Sequence, residues 1–161
     1  MKAIVAVDQN WGIGYQGDQL AYIHADLKRF KELTLGHTVI CGRKTLETFP
    51  KGKPLAGRSN IVLSRTRSEI DGAVVVADIA AATSAATDDI FVVGGASVYN
   101  MLLPYCNEVF VTKLHKAFTA DKFFPNLDES TEWEVVEEGE TQTEDGIQFH
   151  YVTYRRKDGD G

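Results

Sequence analysis

The sequence is poor in the residues that staple a chain or carry it through a membrane. It has two cysteines, Cys41 and Cys106, far apart and each in an apolar stretch. They make no CxxC or Cys/His metal spacing, so two packed, reduced thiols are favoured over a disulfide. No apolar run approaches the ~18 residues of a membrane span. The opening run Met1–Asp8 breaks at an acid and reads as a first strand, not a signal peptide. Internal repeats, low-complexity tracts and linkers are missing. The four histidines, His24, His37, His115 and His150, share no ligand spacing and read as structural, and no metal is expected. No Walker A loop occurs, and the paired glycines Gly94-Gly95 are not part of a Gly-x-Gly-x-x-Gly.

What is present describes one folding unit. The chain has 161 residues, 43% hydrophobic and 25% charged. A domain of this size buries roughly 68–70% of its unfolded surface, enough for a core without staples. The expected boundaries are a single domain over 1–157 and a short tail at 158–161. These features fit a cytoplasmic protein without a membrane partner, and they leave its oligomeric state open.

Charge is unevenly spread. The net value is −6, yet residues 128–145 hold nine acids and no base, and residues 24–67 hold ten bases against three acids. An acidic protein is a poor nucleic-acid binder. A local basic region suits either a small polyanionic ligand or a solvated surface.

Short apolar runs recur at 3–7, 38–41, 60–64, 73–77, 90–93 and 109–112, the pattern of strands buried on both faces of a parallel sheet. Helical stretches lie between them at 24–34, 43–50, 78–87 and 97–103, with Asp78 and Ser97 as helix starts. Residues 133–140 and 147–154 alternate around Glu144-Asp145-Gly146, a hairpin signal. The expected fold is α/β: a mostly parallel, twisted central sheet of about eight strands with an antiparallel C-terminal hairpin, flanked by about four helices. Two long turn-rich connections, 8–22 and 50–58, have the size of functional loops. Trp11 in the first of them reads as either a lid residue or an anchor.

Five places can carry chemistry. On a helical wheel with Asp26 at zero, Phe30, Ile23 and Leu33 fall at about 40°, 60° and −20°. Lys28, Arg29, Lys31 and Glu32 take the far side. Asp26 therefore sits inside an apolar stripe and needs a partner, as a ligand-binding acid of raised pKa or as a first-turn cap. Val39-Ile40-Cys41-Gly42-Arg43-Lys44-Thr45 is a strand, a glycine and a helix start, where amide groups and cations favour a phosphate. Val93-Gly94-Gly95-Ala96-Ser97-Val98 repeats that design and places both at the carboxyl edge of the sheet, where open α/β sheets bind ligands. Leu63-Ser64-Arg65 is a third such edge. Arg58, after a rigid turn, suits a bidentate carboxylate.

Taken together and in order, Ile4-Val5-Ala6-Val7, Gly12-Ile13-Gly14, Ala25-Asp26-Leu27 with Phe30, Val39 to Thr45, Pro54 to Asn60, Val93-Gly94-Gly95 with Tyr99, and Phe124-Pro125 resemble dihydrofolate reductase from about Ala3 to Arg156. The resemblance implies reduction of 7,8-dihydrofolate with NADPH. It assigns Asp26 to pterin binding and protonation and Thr112 to the same corner. It gives Val5, Ala6, Leu27, Phe30, Phe49, Leu55, Val93 and Tyr99 to the substrate walls, and Arg58 to the α-carboxylate of the glutamate tail. Around the cofactor it places Ala6, Ile13, Gly14, Gln19, Gly42, Leu63 and the 93–99 turn (Val93, Gly94, Gly95, Ala96, Ser97, Val98, Tyr99). Arg43, Lys44 and Thr45 would hold phosphates, and Ser64 with Arg65 the 2′-phosphate. The sequence departs from the family where Ala21 stands at the customary tryptophan and His24 at a common proline. The alternative that Ala21 motivates is a non-enzymatic pterin- or nucleotide-binding module on the same fold. A related reductase acting on a riboflavin-precursor ribosylamine need not keep Asp26 or Arg58.

Overall fold

Alternating β-branched runs and short amphipathic stretches give eleven strands and four helices among the described residues, 1–66, 69–85 and 89–157, of the computed structural model. The strands are β1 (Lys2–Val7), β2 (Gly12–Gly14), β3 (Thr38–Gly42), β4 (Ser59–Leu63), β5 (Val74–Val76), β6 (Ile90–Val92), β7 (Glu108–Leu114), β8 (Lys122–Phe123), β9 (Trp133–Glu138), β10 (Gln142–Glu144) and β11 (Ile147–Arg156). The helices are α1 (His24–Thr34), α2 (Arg43–Leu46), α3 (Ile79–Ala85) and α4 (Ala96–Leu102).

Nine strands make one sheet in the order β10-β11-β7-β1-β6-β3-β4-β5, with β9 also paired to β11. The pairs from β7 across to β5 are parallel, and β11 runs antiparallel to β7, β9 and β10. β9 and β10 share one flank of β11, so the sheet is eight positions wide, as the sequence pattern implies. The central strands read as continuous apolar runs because they are covered on both faces: Val39, Val62, Val92, Val109 and Val111 are fully buried.

The Glu144-Asp145-Gly146 signal is a tight turn, with φ of 51° at Asp145 and 79° at Gly146. It joins β10, not the longer β9, to β11; β9 pairs with β11 farther along, from Val152 to Arg156. The sequence reading also missed a two-stranded sheet in which β2, inside the first long connection, pairs with β8. Gly12 and Gly14 occur in an irregular three-residue strand with no room for a periodic pattern.

Other boundaries shift for local reasons. The second helix ends at Leu46, and a separate 3₁₀ turn, Pro50–Gly52, follows, because Pro50 has no N–H to continue the ladder. Asp78 does start its helix, its Oδ1 accepting from the Ala81 amide at 2.8 Å. Ser97 does not: α4 begins at Ala96 with Gly95 at the cap. The expected end of α3 at 87 and the tail at 158–161 lie outside the described residues.

Trp11 is an anchor. It is 6% exposed and stacks on Phe124 with an edge contact to Tyr154. Asp8 fixes the start of the same loop, its carboxylate accepting from the amides of Asn10, Gly12 and Phe118 at 2.7–2.9 Å. Cys41 and Cys106 are buried and free, and burial pushes their thiols up to about 12 and about 11.

Candidate active site

The carboxyl ends of the parallel strands open into a cleft of about 1460 Å³. All of the predicted site residues except Thr112 line it. Thr112, on β7, is 2% exposed and reaches the cleft through Asp26, donating its hydroxyl to Oδ1 at 2.5 Å.

Asp26 is the third residue of α1, and the apolar stripe places it against the sheet as the wheel implies. Burial raises its carboxyl above the ordinary value; the Thr112 hydrogen bond and the Arg29 charge pull it down, and Glu144 pushes it up. Since Thr112 occupies Oδ1, Oδ2 has no protein partner among the described residues. A lone carboxyl that holds its proton unusually well can bind an amino group and a ring nitrogen side by side.

Arg29 overturns the wheel's far side. It is half-buried, its guanidinium 4.1 Å from the Tyr151 ring centroid and 5.8 Å from that of Phe110, and burial lowers its pKa. A long side chain can reach around the helix to an aromatic face, which residue angles alone do not show.

Arg58 sits on a braced turn. Its Nε donates to the Ala56 carbonyl at 2.9 Å and a terminal nitrogen donates to Thr34 Oγ1 at 3.2 Å. The second terminal nitrogen has no protein partner among the described residues. The brace is Asn60, whose buried amide accepts from Leu55 N and donates to the carbonyls of Leu55 and Arg58. Gly57 needs its left-handed φ of 75°, and a Cβ there would meet Leu35 at 2.7 Å.

At the third wall two strand ends come together. Gly42 N donates to the Gly94 carbonyl at 2.9 Å, joining the two strand–glycine–helix junctions. The Gly94–Gly95 peptide is cis. A Cβ on Gly95 would lie 3.0 Å from Thr45 Oγ1, so the backbone there stays bare. Arg43 pairs with Glu47 at 3.1 Å, while Lys44 and Arg65 are exposed cations on the cleft rim. Tyr99 is buried, and its hydroxyl donates to the Ile4 carbonyl at 2.5 Å, tying α4 to β1 and setting Val5 and Ala6 beside the cleft.

The loop over the cleft is held by further polar contacts. Gln16 N donates to Asp121 Oδ2 at 3.0 Å, and Asp121 N donates to the Gly14 carbonyl at 2.9 Å. The exposed Tyr22 phenol donates to Asp18 Oδ1, which holds it up to about 12, with burial and the Asp18 charge adding to that hydrogen bond. Asp18 Oδ1 also accepts from Gln19 N at 2.8 Å. Ala21, at the customary tryptophan, packs beside Ile23, Leu114 and Phe149. The Tyr22–Asp18 pair needs two polar groups four residues apart in a non-helical loop, a spacing that carries no signal by itself.

Bare glycine backbones and cations on one side of the cleft, with a partly buried carboxyl raised above its ordinary pKa on the other, are the layout of a nicotinamide-dependent reductase. The sequence profile of dihydrofolate reductase matches residues 1–156. A dihydrofolate reductase of Bacillus subtilis (strain 168) is 36% identical over 159 residues, covering 96% of this chain and 93% of that one. Dihydrofolate reductase HdrB of Haloferax volcanii is 34% identical, covering 96% and 82%. A solved dihydrofolate reductase from Enterococcus faecalis, complexed with NADP(H) and RAB-propyl, superposes with a TM-score of 0.86 at 31% identity, covering 98% and 96%. The chain belongs to the dihydrofolate reductase family.

Proposed function

We propose that Asp26 promotes protonation of the pterin in this chain's reaction, the NADPH-dependent reduction of 7,8-dihydrofolate to 5,6,7,8-tetrahydrofolate. The observation that carries this reading is the Asp26–Thr112 pair. One oxygen is held by a buried hydroxyl, the other is left for the substrate, and burial favours the protonated carboxyl. A neutral acid can donate to a ring nitrogen, and a carboxylate can bind the amino group beside it. Val5, Ala6, Leu27, Phe30, Phe49, Leu55 and Val93 supply the apolar walls that exclude water from that exchange. Arg58, prefixed by Ala56 and Thr34, takes the α-carboxylate of the glutamate tail.

The residues present fit NADPH. The Gly94–Gly95 backbone is open to close approach, and a side chain at Gly95 would fill that space. All of the following line the cleft: Thr45, Lys44 and Arg43 would hold the pyrophosphate, Ser64 and Arg65 the 2′-phosphate, and Ile13, Gly14 and Gln19 from the loop would flank the nicotinamide. NADPH supplies the hydride when bound.

The chain works as a monomer on a small-molecule substrate in the cytoplasm, with residues 1–157 as one catalytic domain and no nucleic-acid partner. The net charge of −6 and two buried, free thiols support this reading. No helix among the described residues is long and apolar enough to cross a membrane.

The test mixes purified protein with NADPH and dihydrofolate and follows loss of the reduced-nicotinamide absorbance, with NADH in parallel and a blank lacking dihydrofolate. Oxidation that needs dihydrofolate and favours NADPH is the expected result. NADPH binding without oxidation would select a binding module instead.

A further inference from the structure

We infer that Glu144, on the C-terminal hairpin, is a positioning residue for the active-site acid: it caps the helix that carries Asp26 and sets the charge around that carboxyl. This rests on the reading of Asp26 given above.

The N-terminus of α1 has no local cap. Ile23 stands at the capping position and offers no side-chain acceptor. The first amides of a helix lack intrahelical partners, and here two of them are bound from across the fold. Glu144 Oε2 accepts from His24 N at 2.5 Å, and Oε1 accepts from Ala25 N at 3.0 Å. The tight turn at Asp145-Gly146 fixes the approach, since Glu144 pairs with Ile147 at the last rung before it. Both carboxylate oxygens are therefore engaged on the two residues that precede Asp26 in the helix.

The consequence is electrostatic. A helix N-terminus carries about half a positive charge, which stabilises a carboxylate in the first turn and drives it to release its proton. Asp26 occupies that turn but must hold a proton. A carboxylate seated on the two preceding amides cancels the field at its source. Around Asp26 the other groups are Thr112 from β7, Arg29 from its own helix, Tyr99 from α4 and Tyr151 from β11. Burial is the largest influence and raises the carboxyl. Thr112 and Arg29 lower it. Among the charged groups, Glu144 is the one that raises it.

The test compares wild type, Glu144→Gln and Glu144→Asp as full-length protein. Glu144→Gln keeps an oxygen acceptor without the charge, and Glu144→Asp keeps the charge on a shorter arm. Carbon-13 NMR of aspartate-labelled protein follows the Asp26 carboxyl, assigned by the resonance that Asp26→Asn removes. The pH dependence of kcat is read beside it, with thermal melts to confirm folding. In Glu144→Gln the Asp26 midpoint moves to lower pH. kcat above the midpoint falls about threefold, the scale of one charge at a helix terminus. kcat on the acid plateau and KM for NADPH stay at wild-type values, and Glu144→Asp retains most of the wild-type profile. An unmoved Asp26 midpoint in folded Glu144→Gln overturns the inference. Equal shifts in both variants also overturn it, because geometry and not charge would then be responsible. If the midpoint moves and the kcat profile does not, Glu144 tunes Asp26 as inferred and Asp26 is not the proton-controlling group. Turnover of Asp26→Asn checks that second point independently.

Discussion

The two sides of the cleft are built on different plans. The side assigned to the cofactor repeats a single device, a buried parallel strand ending in glycine or a hydroxyl, at Gly42-Arg43-Lys44, Ser64-Arg65 and Gly94-Gly95, the first two beside cations. Each unit is contiguous in sequence, and several donors share one polyanion. The side assigned to the pterin has one acid. Asp26 relies on Thr112 from β7 and on Glu144 from β10; the other carboxyls lining the cleft among the described residues are Asp18, on the loop, and Asp78, ahead of α3. With redundancy on one side and a single group on the other, loss of one side chain is expected to have very different consequences on the two sides of the cleft.

The largest expected effect is on the side without redundancy. Asp26→Asn lowers turnover by about 10²–10⁴-fold at neutral pH, the range for an acid–base group, and leaves NADPH affinity in place. Stopped-flow turnover and cofactor titration check both, and wild-type turnover would remove Asp26 from the proton step. The same substitution sharpens the comparison through stability. A carboxyl whose folded pKa is raised binds its proton more tightly in the native state, so its contribution is fully present below the unfolded pKa and is lost as pH rises through the folded one. Asp26→Asn therefore melts at or above the wild-type temperature at pH 7, and the difference closes in acid. A lower Tm at pH 7 would contradict the raised pKa.

Arg58 comes next, because it too stands alone. Arg58→Ala raises the Kd of dihydrofolate by about 10–100-fold, the equivalent of about 1.5–3 kcal/mol for hydrogen bonds to a charged group. Equal affinity in wild type and variant would take the guanidinium out of the site. On the repeated side the effect is smaller. Arg65→Ala reduces the preference for NADPH over NADH by about tenfold, while Lys44, Arg43 and the helix amides keep the pyrophosphate bound. If NADH binding weakens as much as NADPH binding, Arg65 does not read the 2′-phosphate. Tyr22→Phe, which removes an exposed hydrogen bond on the loop between the two sides, changes NADPH dissociation by no more than about threefold. A tenfold change would show that the loop, and not the glycine edge, controls the cofactor.

The difference between the sides also decides what could be read in advance. The repeated junctions were legible because strand, glycine and helix start are neighbours in sequence, and all line the cleft. Asp26 was legible as an anomaly, a carboxyl in an apolar stripe, but its purpose stayed open between ligand binding and capping. The first turn does need an acidic cap, yet the cap is Glu144. Arg29 was misplaced because a helical wheel locates Cα directions and not where a long guanidinium lands. The β2–β8 sheet was missed because its strands are too short to show a period.

Periodicity and turn chemistry act over a few residues, so the sequence by itself determined the strand pattern, the bounds of α1, the Asp145-Gly146 turn and the three glycine or hydroxyl edges. It also placed the local excess of cations between residues 24 and 67. Desolvation and long-range hydrogen bonding depend on which groups the fold brings into contact. Only the tertiary structure joined Asp26 to Thr112 across 86 residues and the first amides of α1 to Glu144 across 120. Burial, aided by the Glu144 charge and opposed by the Thr112 hydrogen bond and Arg29, raises the Asp26 carboxyl above that of an ordinary aspartate.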